Sequence, residues 1–126
     1  MKFNVNQKDL QEALSYCQGV IEKRSTLQIL SNVLLDASNS KLTITATDLD
    51  LIFIHKIENI EILEEGKTTT TSSIMFDIIR KFSSDKKINL LMNNENKLQL
   101  ESEKSIFNLN CIDSSEFPLT EENFNQ

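Results

Sequence analysis

Tryptophan is absent from this chain, and proline, glycine and histidine are scarce: one Pro, two Gly and one His. So few glycines leave no room for a GxGxxG turn or a phosphate-cradling P-loop, and neither motif occurs. One histidine, His55, excludes a histidine-rich metal site and leaves a Ser–His or Cys–His pair without a recognisable nucleophile motif. It is read as a surface or interface residue. The two cysteines, Cys17 and Cys111, form no CxxC and each sits on an apolar stripe, so both are read as reduced core residues. No apolar run approaches the length of a membrane span, and no charged-then-apolar signal precedes the first strand. A cytoplasmic protein with no membrane partner is expected.

What is present fits one domain: 126 residues, 39% hydrophobic and 25% charged, with a formal net charge of -6. Taken whole, that charge disfavours nucleic acid, whose binding comes mainly from neutralised phosphates. Its distribution says more. Residues 7–25 balance Lys8, Lys23 and Arg24 against Asp9, Glu12 and Glu22. Residues 72–82 hold Arg80 and Lys81 against Asp77, a net of +1, so the rest carries -7. The only two arginines, Arg24 and Arg80, fall at the ends of the two helical segments.

The apolar pattern switches between periods of two and 3.6. Residues 2–6 alternate as a strand. Asn6, with Asp9 three residues on, is a variant of the capping box. Leu10, Ala13, Leu14, Cys17, Val20 and Ile21 then recur at helical spacing, about four turns, closed by Lys23 and Arg24 where cations suit the helix dipole. Gly19 inside that run marks close packing or an early end. Strands are expected at 29–37, 42–47, 51–57, 59–63 and 67–71, with Glu65-Gly66 a turn. Ser72 or Ser73 caps a second helix whose apolar face is Met75, Ile78, Ile79 and Phe82, with Arg80 and Lys81 in its last turn. The hydroxyl run 68–73 is read as an exposed edge leading into that cap. Strands at 88–92, 97–101 and 105–111 follow, and the tail from Asp113 reads as a linker. Strand, helix and three strands thus occur twice, over 2–57 and roughly 59–111. The fold class is α+β. Two helices with one apolar face each must lie on the same layer of sheet to be buried.

Asp48 and Asp50 raise the one enzymatic alternative, a small metal-binding or hydrolytic protein. At i and i+2 of a strand their Cα atoms would be about 6.5–7 Å apart on one face. Carboxylates so placed can share a divalent cation. No further ligand cluster accompanies them, and Asp at a strand reversal commonly accepts hydrogen bonds from its own backbone. A turn is the simpler reading.

The ordered segments MKFNVNQKDL, RSTLQILSNVLL, LTITATDLDL, FDIIRKF and FNLNCIDSSEFP resemble the first domain of the bacterial sliding clamps, the beta subunit of DNA polymerase III. The most specific pieces are Arg24-x-Thr26-Leu27-x-Ile29-Leu30-x-Asn32 and Thr47-Asp48-Leu49. The resemblance implies a DNA-clamp fold: two strand–helix–three-strand motifs, with both helices packed on one side of antiparallel sheets. It implies a clamp domain over residues 1–112 and a linker over 113–126 towards a second domain absent here. Subunits of that family close head-to-tail into a ring whose helices line the hole. The ring tethers the polymerase and catalyses nothing, and no cofactor is expected. The implied partners are duplex DNA, held weakly and without sequence preference, and a second clamp subunit. Polymerase and clamp loader would bind through the absent domains. The resemblance carries DNA contacts to Arg24, Lys23, Arg80 and Lys81. It carries the dimer interface to Phe107 and Leu109, with Ile78 and Ile74 as weaker candidates. Ser25 and Gln28 stand where the family often has prolines, and Ser73 and Ile74 where many relatives are basic. A chain lacking the complementary domain of the ring is expected to be monomeric.

Overall fold

The structure, a computed structural model, describes residues 1–21 and 28–118. The elements run β1 (Lys2–Asn6), α1 (Gln7–Val20), a 3-10 turn (Gln28–Ser31), β2 (Asn32–Ser38), β3 (Lys41–Thr47), β4 (Ile52–Ile57) and β5 (Ile60–Glu64). Then come β6 (Gly66–Thr71), α2 (Ser72–Ile79), β7 (Lys87–Met92), β8 (Lys97–Ser102), β9 (Ser105–Ile112) and a second 3-10 turn (Ser114–Glu116). All strand pairs are antiparallel, in the order β4-β3-β2-β6-β9-β8-β7-β1-β5.

That order reveals how the repeat is built. The run β4-β3-β2-β6 becomes β9-β8-β7-β1 when each element of one half is replaced by its counterpart in the other. Each half therefore lends its first strand to the other half's sheet: β1 pairs with β7, and β6 pairs with β2. The second unit begins at β6. Residues 59–63, expected to open it, instead supply β5, which flanks β1. Gly66 is the first residue of β6 rather than a turn. A Cβ there would meet Met1 Cβ at 2.8 Å, so only glycine permits the N-terminus to pass this close.

The alternating strands bury one face. Phe3, Val5, Leu42, Ile44, Ile88, Leu90, Leu98 and Leu100 are all at most 1% exposed and form one core with Leu10, Leu14, Cys17, Met75 and Ile79 of the helices. Tight reversals set the registers. Asn39 and Ser40 both have positive φ in the two-residue β2–β3 hairpin, the geometry that matches strand twist. Asn93 Oδ1 accepts from Glu95 N and Lys97 N in the β7–β8 turn.

The hydroxyl run is not an exposed edge. Thr68, Thr69 and Thr70 are buried at the centre of the sheet. β6 pairs with β9 at only two positions, Thr69↔Ile112 and Thr70↔Cys111. Side chains supplement this short seam: Thr69 Oγ1 donates to Ile112 O at 2.7 Å and Thr70 Oγ1 to Asn110 O at 2.9 Å. Threonine suits such a place because it is β-branched and carries its own donor.

The helices pack on each other and are tied at both ends. Gln7, fully buried, donates from Nε2 to Ile79 O and to Gln11 Oε1, both at 2.7 Å. At the other end Ser72 Oγ donates to Gln18 Oε1 at 3.0 Å. Ser72 is thus a cross-link rather than a cap. The N-cap of α2 is Thr71 and that of α1 is Asn6, and neither makes a side-chain cap bond. Asn6 reaches Asp9 only side chain to side chain, at 3.4 Å. α1 stops at Val20, one residue past Gly19, with Ile21 extended. An early end, not close packing, is what Gly19 marks, since a Cβ there would meet nothing within 4 Å. Asp113 Oδ1 accepts from Ser115 N, and Phe117 is buried, so the tail stays attached to the domain at least to that residue.

Candidate functional site

Of the four cations expected to face DNA, Lys23 and Arg24 lie outside the described residues. Arg80 and Lys81 are both exposed and stand just past α2 rather than in its last turn. The chain tightens there. Arg80 N donates to Phe76 O, Lys81 N to Ile78 O and Phe82 N to Ile79 O, so α2 closes in shorter bonds. Cations at this C-terminal end complement the helix dipole. Arg80 is also held in place: its guanidinium lies 3.6 Å from Asp77 Oδ1 and 5.1 Å over the Phe76 ring. Both partners of the ion pair are more than half exposed, so it contributes little stability but orients the side chain. Gln11 of α1 joins Asp77, Arg80 and Lys81 around one shallow depression between the helices. Lys8 and Ser15 continue the exposed side of α1. Among the described residues this surface presents two cations at the end of one helix, α2, beside an open depression, an arrangement that attracts phosphates without gripping a base.

The expected interface residues separate. Ile78 and Leu109 are 8% and 7% exposed and belong to the core, so neither offers a free surface. Phe107 is half-buried, edge-to-face with Phe82 at 5.8 Å between centroids. Ile74 is 52% exposed, and so is its neighbour in kind on β9, Ile106, at 53%. Ile74 borders a cleft of about 360 Å³ shared with Asn32, Thr70, Asn108 and Asn110. From Ser105 to Leu109, β9 has β8 on one side and no strand on the other among the described residues. Ile106 was legible as part of the strand; that it points outward follows only from the pairing with Glu101 on β8.

The carboxylate pair is a turn. Asp48 Oδ1 accepts from Asp50 N at 3.0 Å and Leu51 N at 2.7 Å. Thr47 Oγ1 donates to Leu51 O at 2.8 Å and accepts from Leu49 N at 3.0 Å. Leu49 sits at φ 82 to complete the reversal. Asp48 is committed to backbone donors, and no cluster of three or more His, Cys, Asp or Glu suited to a metal occurs among the described residues. The metal or hydrolytic alternative has no support here.

His55 is half-buried in an aromatic trio, 5.9 Å from the Tyr16 ring and stacked at 6.2 Å on Phe53. Burial pushes the Cys17 thiol up to about 12, which makes it inert. Cys111 is only half-buried, so just one cysteine is a full core residue. Its thiol is raised by burial, partly offset by hydrogen bonding from Thr68. No helix among the described residues is long and apolar enough to cross a membrane.

Comparison with known proteins gives one answer. The family described as DNA polymerase III beta subunit, N-terminal domain, matches residues 1–121. The chain is 32% identical to the beta sliding clamp of Pseudomonas putida over 122 residues, covering 97% of this chain and 33% of the relative. It is 31% identical to that of Escherichia coli K12 over 118 residues, 94% of this chain and 32% of the relative. Among solved structures, Caulobacter crescentus pol III beta superposes with a TM-score of 0.90 at 32% identity, over 95% of this chain and 32% of that one. The Bacillus subtilis sliding clamp, at 24% identity, shares the fold with a TM-score of 0.89. The chain spans about a third of the length of these relatives. It belongs to the family of DNA polymerase III beta subunit N-terminal domains.

Proposed function

We propose that this chain acts as the N-terminal domain of a DNA sliding clamp. In that role it forms one segment of a ring around duplex DNA that tethers a replicative polymerase in the cytoplasm, and it performs no chemistry itself. The observation that carries this reading is the shared surface of α1 and α2. It places exposed Arg80 and Lys81 beside Gln11, while the rest of the chain is strongly acidic. A sliding ring needs loose, long-range attraction to phosphates and no base contacts. Arg80 and Lys81, both at the end of α2, supply it, and Lys23 and Arg24, which follow α1 in the sequence, are expected to add to it. The acidic strand and loop surface repels DNA from the outside of the ring.

The head-to-tail contact with a second subunit uses the open edge of β9. Exposed Ile106 and half-buried Phe107 lie on that edge and Ile74 beside it, while Ile78 and Leu109 support them from the core. The domain body runs to Phe117-Pro118, which supports a boundary several residues later than 112. Polymerase and loader bind elsewhere, in parts of a full subunit that this chain does not include.

The test uses the full subunit that contains this domain. Loaded on circular duplex DNA it should be retained, and it should be lost when the circle is linearised. Arg24→Ala with Arg80→Ala should weaken retention and lower the slope of log affinity against log salt by about 0.9 for each phosphate contact removed. Equal retention on linear DNA, or an unchanged slope, would count against the reading.

A further inference from the structure

The segment that follows Ile79 carries Arg80, Lys81 and Lys86 against a single carboxylate, Asp85, and all four side chains are exposed. It is built of turns and bends, and from Arg80 to Lys86 only Phe82 is buried. One residue of the other helix holds both of its ends. Gln7 opens α1, where a backbone N–H has no partner inside the helix. That N–H donates to Lys86 O at 2.9 Å. Nε2 of the same residue donates to Ile79 O at 2.7 Å, across 72 positions. Its second hydrogen goes to Gln11 Oε1, also at 2.7 Å, beside the depression that Gln11 shares with Arg80 and Lys81.

Glutamine is a poor choice here for stability alone. Gln7 is 1% exposed, and its Oε1 is buried and accepts from no donor among the described residues. An unpaired buried acceptor is costly. Ile79 O also accepts from Phe82 N at 3.1 Å, so it does not depend on Gln7 for a partner. Methionine, of similar size and shape, would fill the space without the stranded oxygen. What methionine lacks is the pair of side-chain donors.

We propose that Gln7 is a positioning residue for the cations at the end of α2: by clamping Ile79 and Lys86 it fixes Arg80 and Lys81 on the α1/α2 surface. The proposal rests on the reading of those two side chains as phosphate-facing. A loose segment would have to be ordered each time its cations met phosphates, which weakens binding. A clamp made on folding removes that cost and leaves only the side chains to be ordered.

The full subunit that contains this domain tests this. The variants are Gln7→Met, the pair Arg80→Ala with Lys81→Ala, and all three substitutions together, with circular dichroism to verify folding. On circular duplex DNA, Gln7→Met should weaken retention about two- to tenfold, the size of one ordinary hydrogen bond. The alanine pair should weaken it too. Adding Gln7→Met to the pair should change nothing further, because the clamp acts through those two side chains. Hydrogen exchange should be slow at residues 80–82 of the wild type, whose amides all donate to α2 carbonyls, and faster there in Gln7→Met with α1 and β1 unchanged. Unchanged retention in Gln7→Met while the alanine pair weakens it overturns the proposal and leaves the DNA-facing reading intact. The same loss from Gln7→Met with and without the alanine pair, or a Gln7→Met subunit that does not fold, makes Gln7 a structural residue and also overturns it. Wild-type exchange at 80–82 as fast as in an open loop does so without any variant. If the alanine pair has no effect, the DNA-facing reading falls and the proposal falls with it.

Discussion

Where α1 ends against β4, the contact is Tyr16 on Phe53 and His55; where α2 ends against β9, it is Phe82 on Phe107. The two junctions occupy corresponding places in the two halves. One is half wet, with Tyr16 50% exposed, and the other is dry, with Phe82 8% exposed. The helices differ likewise. α1 has 14 residues and ends in Gly19 and Val20; α2 has eight and runs into Arg80 and Lys81. The shared order of elements comes from the inward side chains, which alternate in the same way in both halves. The outward side chains differ among the described residues: the first half shows an apolar strand edge, with Leu51, Ile52 and Ile54 exposed, and the second half exposes Arg80 and Lys81 at the end of its helix.

That contrast can be broken by truncation. Phe82→Ala should cost about 3–5 kcal/mol, because the cavity left at a buried aromatic refills poorly. Tyr16→Ala, at a half-exposed ring, should cost about 1 kcal/mol, close to the ordinary effect of a point substitution. Denaturant unfolding of the two variants measures both, and equal costs would mean that the junctions are not as different as their burial suggests. A backbone substitution sharpens the seam between the halves. Gly66→Ala forces a Cβ onto Met1 at the start of β6. It should cost about 1–3 kcal/mol, the usual range for overpacking. Removing Met1 along with the substitution should recover part of it.

Much of this molecule was legible in its sequence. Period-two runs located every strand to within about three residues, and helical spacing located both helices. The ordered motifs pointed to the clamp family, which the family match confirms. The misreadings share one cause, that pairing partners lie far along the chain. Residues 59–63 and 67–71 are both strand-like, and nothing local says that the first flanks β1 while the second enters the other half. The threonines of β6 look like an edge until β2 and β9 are placed on either side of them. Ile78 and Ile74 occupy one apolar helix, yet only Ile74 is free, because the sheet decides which face is covered. Gln7 reads as a polar residue at a helix start. Its burial and its bond to Ile79 O, across 72 positions, exist only in the folded pair of helices.

The central claim is that the α1/α2 surface is the DNA-facing one. It is tested most directly by nuclear magnetic resonance of the isotope-labelled chain titrated with a short duplex at low salt. Shifts should centre on Gln11, Asp77, Arg80 and Lys81, should not depend on the duplex sequence, and should fade as salt is added. Shifts centred on the β3–β4 or β8–β9 strands, or no shifts at all, would contradict it.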